Sequence, residues 1–461
     1  MVSVPSSGDR ISRWTPTIFA CALGNFLLAQ LLMVAGISWP TAPETGGATL
    51  AAVHLLTIGW ITLLMFGALF QFVPVLTGGT LRGQRFSLAT LLLIEAGLAG
   101  MVAGFFLLGT PAAILLPIGG SAVIAGVLAG SVNLATPLMG KRRLPLSARF
   151  VVAGLILLLL TAILGLGFAL AFTAPALAAL LAPLMAGGIA YHILAGVGGW
   201  FTLTAIGVSY ELLPMFMLAP HDRGAWGRSV FWTACAGLAV ALVAGFAAPD
   251  QSGTIVAAIE QAGRAVFALA IVLYLIDVVR MYRGRRRRMI ELHNRAATGA
   301  FASLGIALLI AVTACVLDEL PRAAPPLLFV LIFGWLSGLG LSQLYKIIPF
   351  LAWLSRFGRR LGAGPVPRVQ DLVNEKAAAW MFAAYFASVA VAAVAAFFDR
   401  SLLVRGAAGV MLVATLLLAR EYWRAWQGYY AHRQATGNAR HAPPSRPIKD
   451  AAKNPAQATH A

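Results

Sequence analysis

Residues 54–78 read HLLTIGWITLLMFGALFQFVPVLTG, residues 192–218 read HILAGVGGWFTLTAIGVSYELLPMFML, and residues 327–353 read LLFVLIFGWLSGLGLSQLYKIIPFLAW. Each contains Gly-Trp followed by a proline fourteen residues after the tryptophan: Trp60 with Pro74, Trp200 with Pro214, and Trp335 with Pro349. A small residue stands seven before each proline (Gly67, Gly207, Ser342) and a polar one three before it (Gln71, Glu211, Lys346). Self-similarity at a fixed period is the signature of a repeated structural unit. The prolines are 140 and 135 residues apart, so each period holds four apolar spans.

The spans follow from composition. With 60% hydrophobic and 11% charged residues over 461 positions, the chain lies far below the roughly 25% charge of soluble domains. A hydrocarbon core of about 30 Å needs roughly 20 helical residues. Runs of that length fall near 14–38, 51–77, 86–108, 112–138, 147–171, 186–218, 229–248, 254–280, 296–317, 326–353, 376–397 and 401–420. The expected fold is all-α and polytopic, with about twelve transmembrane helices in three pseudo-symmetric four-helix repeats. The repeats cover 1–145, 146–288 and 289–433, and 434–461 reads as a disordered cytoplasmic tail rich in Ala, Pro, Asn, Gln and Lys.

The net charge of +18 is distributed as topology rather than as a nucleic-acid footprint. Alternate loops carry Arg82 and Arg85, Lys141 to Arg143, Arg223 and Arg228, Arg285 to Arg288, then Arg356, Arg359 and Arg360, while the breaks at 39–50 and 249–253 are nearly free of Lys and Arg. The positive-inside rule then places both termini in the cytoplasm of a bacterial-type inner membrane. Anionic lipid headgroups are the expected partners of the basic loops. The first apolar segment is too long for a signal h-region and is expected to stay as helix one. Cys21, Cys235 and Cys315 all fall in spans and form no CxxC or CxxCH pattern, which excludes covalent haem attachment. No Walker loop, dinucleotide fingerprint, catalytic triad or metalloprotease motif occurs.

Spacings of 7, 4 and 3 from tryptophan to small residue to polar residue to proline lie on one helical stripe, which is expected to face protein. Small residues allow close helix approach, so packing alone accounts for the stripe; a ligand pore is the alternative. His54 and His192 are read as the two intramembrane histidines; His221, His293, His432, His441 and His460 are assigned to loops or the tail. Ionisable groups in spans are costly and mark functional sites, although a histidine near a headgroup region also satisfies itself on a backbone carbonyl. His54 lies 20 residues before its proline and His192 lies 22 before, which at an α-helical pitch turns them about 160° apart in the repeat frame. Gly196 and Gly199 share the His192 face and leave room for a flat ligand or another helix. Glu211 and Lys346 occupy equivalent positions and are expected to pair, as a staple or as a proton-handling group. Glu95 is expected to hydrogen-bond a neighbour or serve a proton path, and Glu260 with Arg264 reads as an i, i+4 ion pair.

Twelve spans, inside termini, a threefold four-helix repeat, and histidines near the outer ends of helices two and six resemble subunit I of the haem-copper oxidase superfamily. The HxxxxGW start, with the PVLTG ending at Gly78, is similar to C-type oxidase-like proteins and to the NnrS membrane proteins of nitric-oxide stress. This resemblance implies haem b at His54, copper contact at His192, and a respiratory or stress-response membrane partner. It also implies six histidine ligands, on helices two, six, seven and ten. Helices seven and ten carry none here, so the chain is expected to lack a binuclear centre and not to be an active terminal oxidase. A small-molecule or metal permease with a midplane site, or a non-catalytic membrane subunit, remain as rival readings.

Overall fold

The computed structural model describes residues 12–42, 46–220, 224–247, 254–358 and 366–428. Among these, twelve helices are long and apolar enough to cross a membrane. They are α1 (Thr15–Ala35), α2 (Gly47–Thr77), α3 (Gln84–Phe106), α4 (Pro111–Met139), α5 (Leu146–Thr173) and α6 (Ala179–Met217), then α7 (Gly224–Ala247), α8 (Ile255–Arg283), α9 (Leu292–Val316), α10 (Leu320–Phe357), α11 (Glu375–Phe397) and α12 (Ser401–Gln427). The chain is thus a polytopic, all-α, multi-pass membrane protein. Helix is the expected form because the bilayer offers a backbone no other hydrogen-bond partner. Every span expected from hydropathy corresponds to one of these helices. The proposed tail, and His221, His432, His441 and His460, lie outside the described residues.

Two boundaries shift with consequences. α9 begins at Leu292 rather than near 296, which draws His293 into a helix, where it is only 2% exposed. His293 is therefore buried, not a loop residue. α12 runs to Gln427 rather than 420.

The chain forms two compact units, one of residues 1–346 with 375–420, the other of 347–374 with 421–461. In the smaller unit Ala352, Leu372 and Ala425 make a core to which Trp353, Val373 and Trp426 add. There Arg356 donates to the Trp426 and Gln427 carbonyls at 2.5 and 2.6 Å, and Trp353 Nε1 donates to the Pro367 carbonyl at 2.6 Å.

In the larger unit the stripe predicted to face protein is buried at its tryptophans and small residues and at Pro74 and Pro214. Each of the first two small residues admits the first helix of its own repeat. A Cβ on Gly67 would stand 2.7 Å from Phe19 Cε1 of α1, and one on Gly207 would stand 2.6 Å from Phe150 Cβ of α5. Glycines also set the α3–α4 and α7–α8 crossings, where a Cβ on Gly97 would meet the Gly119 carbonyl at 2.6 Å and one on Gly237 the Phe267 nitrogen at 2.5 Å. Backbones that close gain dispersion contacts, the main attraction between helices in lipid. α12 lies along α1, with Gln30 Nε2 donating to Thr415 Oγ1 at 3.1 Å and Arg405 Nε donating to the Val34 carbonyl at 3.0 Å.

The main departure from expectation lies in the middle of α2, α6 and α10. All three run as π-helix, over Leu55–Thr62, Leu194–Leu203 and Val330–Ser337. Each stretch contains the Gly-Trp of its repeat. A π-helix is wider than an α-helix and mostly occurs as single-turn insertions at functional positions. It turns fewer degrees per residue than an α-helix.

Candidate functional site

The π-helical stretches present their tryptophans inward, with Trp60 and Trp200 at 0% and Trp335 at 1% exposure. Trp60 Nε1 donates to Ser337 Oγ at 2.9 Å, and Trp200 Nε1 donates to Thr62 Oγ1 at 3.1 Å. Each acceptor stands two residues after the tryptophan of another repeat. The pattern runs cyclically: repeat one reaches repeat three, and repeat two reaches repeat one. The third bond, from Trp335 to Thr202, is not made. Trp335 Nε1 is buried without a partner, and the Thr202 hydroxyl donates instead to the Val197 carbonyl at 2.6 Å. Phe26 stacks on Trp60 at 4.7 Å and Phe66 tilts against Trp200 at 5.7 Å, so the indoles sit in an aromatic core.

Immediately before two of these stretches come the histidines, both half-buried. His54 Nδ1 is 2.7 Å from the Leu50 carbonyl, and the ring lies 4.9 Å from that of Phe105 on α3. His192 Nδ1 is 3.0 Å from the Thr161 carbonyl on α5, with Phe168 edge-on at 5.7 Å. A carbonyl on Nδ1 fixes the tautomer with the proton there and leaves Nε2 as a lone-pair donor, the usual outer-shell arrangement of a metal-bound imidazole. The space at Gly196 and Gly199 is taken by α5 rather than left for a flat ligand: a Cβ there would meet Thr161 Cγ2 at 3.2 Å and Leu157 Cδ1 at 2.5 Å. Among the described residues no group of three or more His, Cys, Asp or Glu is placed to hold a metal ion.

The polar residues before the prolines do something other than what their equivalence suggested. Lys346 does not take Glu211 as its carboxylate; its Nζ meets Glu291 Oε2 at 2.5 Å. Gln71 Nε2 donates to the Ser12 carbonyl and to Thr15 Oγ1, both at 2.7 Å. In repeats one and three, then, the position three before the proline ties the second helix to the start of the first helix of the same repeat. Opposite signs at one depth suggested a bond between repeats, but closer partners stand at the mouth of each repeat. Glu95 Oε1 accepts from Asn25 Nδ2 at 2.9 Å, an α1–α3 bond. Arg264 and Glu260 pair as expected, and Tyr191 Oη donates to Glu260 at 3.3 Å.

Glu291 is the hub that sequence reading missed. It accepts from Arg287 and Lys346, and His293 Nδ1 lies 3.4 Å from the same oxygen that Lys346 uses. Arg287 also donates to the Phe216 carbonyl at 3.2 Å, the Phe216 ring packs edge-on against His293 at 4.8 Å, and Lys346 Nζ lies 5.7 Å from that ring. Burial alone would raise the Glu291 carboxyl, but the Lys346 hydrogen bond and charge, with the charges of His293 and Arg287, bring it below its ordinary 4.5. The only advance signal was an acidic residue just past an arginine run. No protein-family model matches this chain, and no curated protein matches it.

Proposed function

We propose that this chain is a divergent relative of haem-copper oxidase subunit I without a binuclear centre, holding one haem b, or one copper ion, between His54 and His192 in respiratory or nitric-oxide-stress physiology. The observation that carries the reading is the matched pair of imidazoles, each with Nδ1 on a backbone carbonyl and Nε2 left for a metal. Haem iron receives four nitrogens from its porphyrin and needs only axial ligands from protein. Copper(I) is the alternative metal, because copper(II) or a coupled centre needs more ligands than these helices offer.

When bound, haem would supply reversible ligation of small gases and one-electron chemistry, which belong to the cofactor. The chain's own contribution is orientation. Leu50 and Thr161 hold the rings through their carbonyls, and Phe105 and Phe168 pack against them. α10 offers no histidine at the matching repeat depth, where Leu327, Leu328 and Phe329 stand; His192 would be the second residue to hold the group. The basic loops support cytoplasmic termini in an inner membrane with anionic headgroups around them.

A reduced-minus-oxidised spectrum with metal analysis on protein made under ample haem and copper tests the reading. Wild type is expected to show a Soret band or stoichiometric copper, and His54→Ala to abolish it. His192→Ala is expected to leave a haem that binds carbon monoxide more readily, through the freed axial position. Wild-type protein with neither Soret absorption nor copper overturns the proposal, and the permease reading then leads.

A further inference from the structure

The three joints between α2, α6 and α10 are not equivalent. The α2–α10 joint is closed by Trp60 on Ser337, and the α2–α6 joint by Trp200 on Thr62. At the first of these the packing is also close: a Cβ on Gly340 would stand 2.5 Å from Leu64 Cδ2 and 3.4 Å from Trp60 Cζ2. The α6–α10 joint has no such bond, and its indole donor is fully buried without an acceptor.

A buried polar group without a partner costs stability and in native proteins commonly marks an ordered water or a functional position. Two more stand at the start of α9. His293 Nε2 and Asn294 Oδ1, on residues 2% and 1% exposed, also lack partners, and they stand beside the Glu291 hub. The hub bridges this very joint, through Lys346 of α10 on one side and the Phe216 carbonyl at the end of α6 on the other. Lys346 lies eleven residues beyond Trp335, or about 16 Å along a helix. The joint thus lacks the indole bond of the other two and is bolted by charge at its basic end.

We propose that the α6–α10 joint is the place where the inner helices part to admit water, and that the Arg287–Glu291–Lys346 cluster is its latch. Water entering there would give Trp335 an acceptor and His293 and Asn294 donors. The fixed joints on either side of α2 would keep the other two repeat contacts closed.

Hydrogen–deuterium exchange of the indole N–H groups tests this on full-length protein in detergent, with 15N-tryptophan and assignments from single Trp→Phe variants. Trp335 is expected to exchange at least ~10-fold faster than Trp60 and Trp200, since an unbonded, hydrated donor is exposed to solvent exchange. The double variant Glu291→Gln/Lys346→Met removes both charges of the buried pair and is expected to speed Trp335 several-fold more, leaving the other two unchanged. Arg287→Gln keeps the Lys346–Glu291 pair while removing the Arg287 bonds to Glu291 and to the Phe216 carbonyl; it gives the same readout should the double variant fold poorly. Exchange at Trp335 as slow as at Trp60 and Trp200, or unmoved by release of the latch, overturns the proposal.

Discussion

Two tryptophan bonds and one unmade bond can be told apart by single substitutions. Trp60→Phe or Trp200→Phe leaves a buried hydroxyl, Ser337 or Thr62, without its donor, and is expected to cost about 1–3 kcal/mol beyond lost packing. Trp335→Phe removes a donor that has no partner, so its loss of thermal stability in detergent should be the smallest of the three. Equal losses would mean that the indole bonds contribute nothing. At the Glu291 hub, Glu291→Gln strands two cations, a change on the order of 3 to 5 kcal/mol for a buried pair. The double variant with Lys346→Met should recover much of the folded yield, and identical yields would argue that the pair is not coupled. Because the folded Glu291 carboxyl titrates below its ordinary 4.5, its stabilisation is fully present above that value and is lost as pH falls through the lower folded one. A melting profile flat from pH 5 to 8 that drops below pH 4.5 in wild type, but not in the Glu291→Gln/Lys346→Met variant, would bear this out. Of this hub only Lys346 was legible in sequence, as a charge in need of a partner: Glu291 and Lys346 are 55 residues apart, and a one-dimensional pattern does not rank Glu211 below Glu291 as that partner.

Among helices, the stripe ending at Pro74, Pro214 and Pro349 was legible because apolar length, glycine spacing and proline position are written along one dimension. The π-helical turns were not, since α- and π-helix share residue preferences and nearly the same apolar pattern. Their effect is angular. A residue inserted into a helix re-aims everything on its far side by about 100°. Deleting Ile58, inside the first π-helical stretch, is therefore expected to return α2 to α-helical pitch and re-aim His54 relative to the rest of α2. The deletion variant should still insert into membranes yet lose any bound haem or copper. Retention of the cofactor would mean that the π-turn does not set the imidazole's direction. The histidines themselves were legible as intramembrane ionisable groups. Their shared use of Nδ1 on a carbonyl, and the filling of Gly196 and Gly199 by α5, required the third dimension.

For the whole molecule, reporter fusions that fluoresce only in the cytoplasm are expected to be bright after residue 145, 285 or 365 and dark after 45, 250 or 320. Brightness near 45 or 320 would break the alternation of basic and non-basic loops on which the orientation rests. The twelve helices follow from composition, whereas the separate unit formed by 347–374 and 421–461 does not, since it cuts across the four-helix periods.

The Gln30–Thr415 bond joins residues 385 positions apart, in the first and last spans. A ribosome therefore finishes nearly the whole chain before α1 meets α12. Until then Gln30 sits in the bilayer with its amide uncovered, where an unsatisfied polar group is expensive. Insertion would leave α1 waiting, shielded by whatever escorts nascent membrane proteins, and a chain truncated before α12 would be marked for quality control by that one bare glutamine.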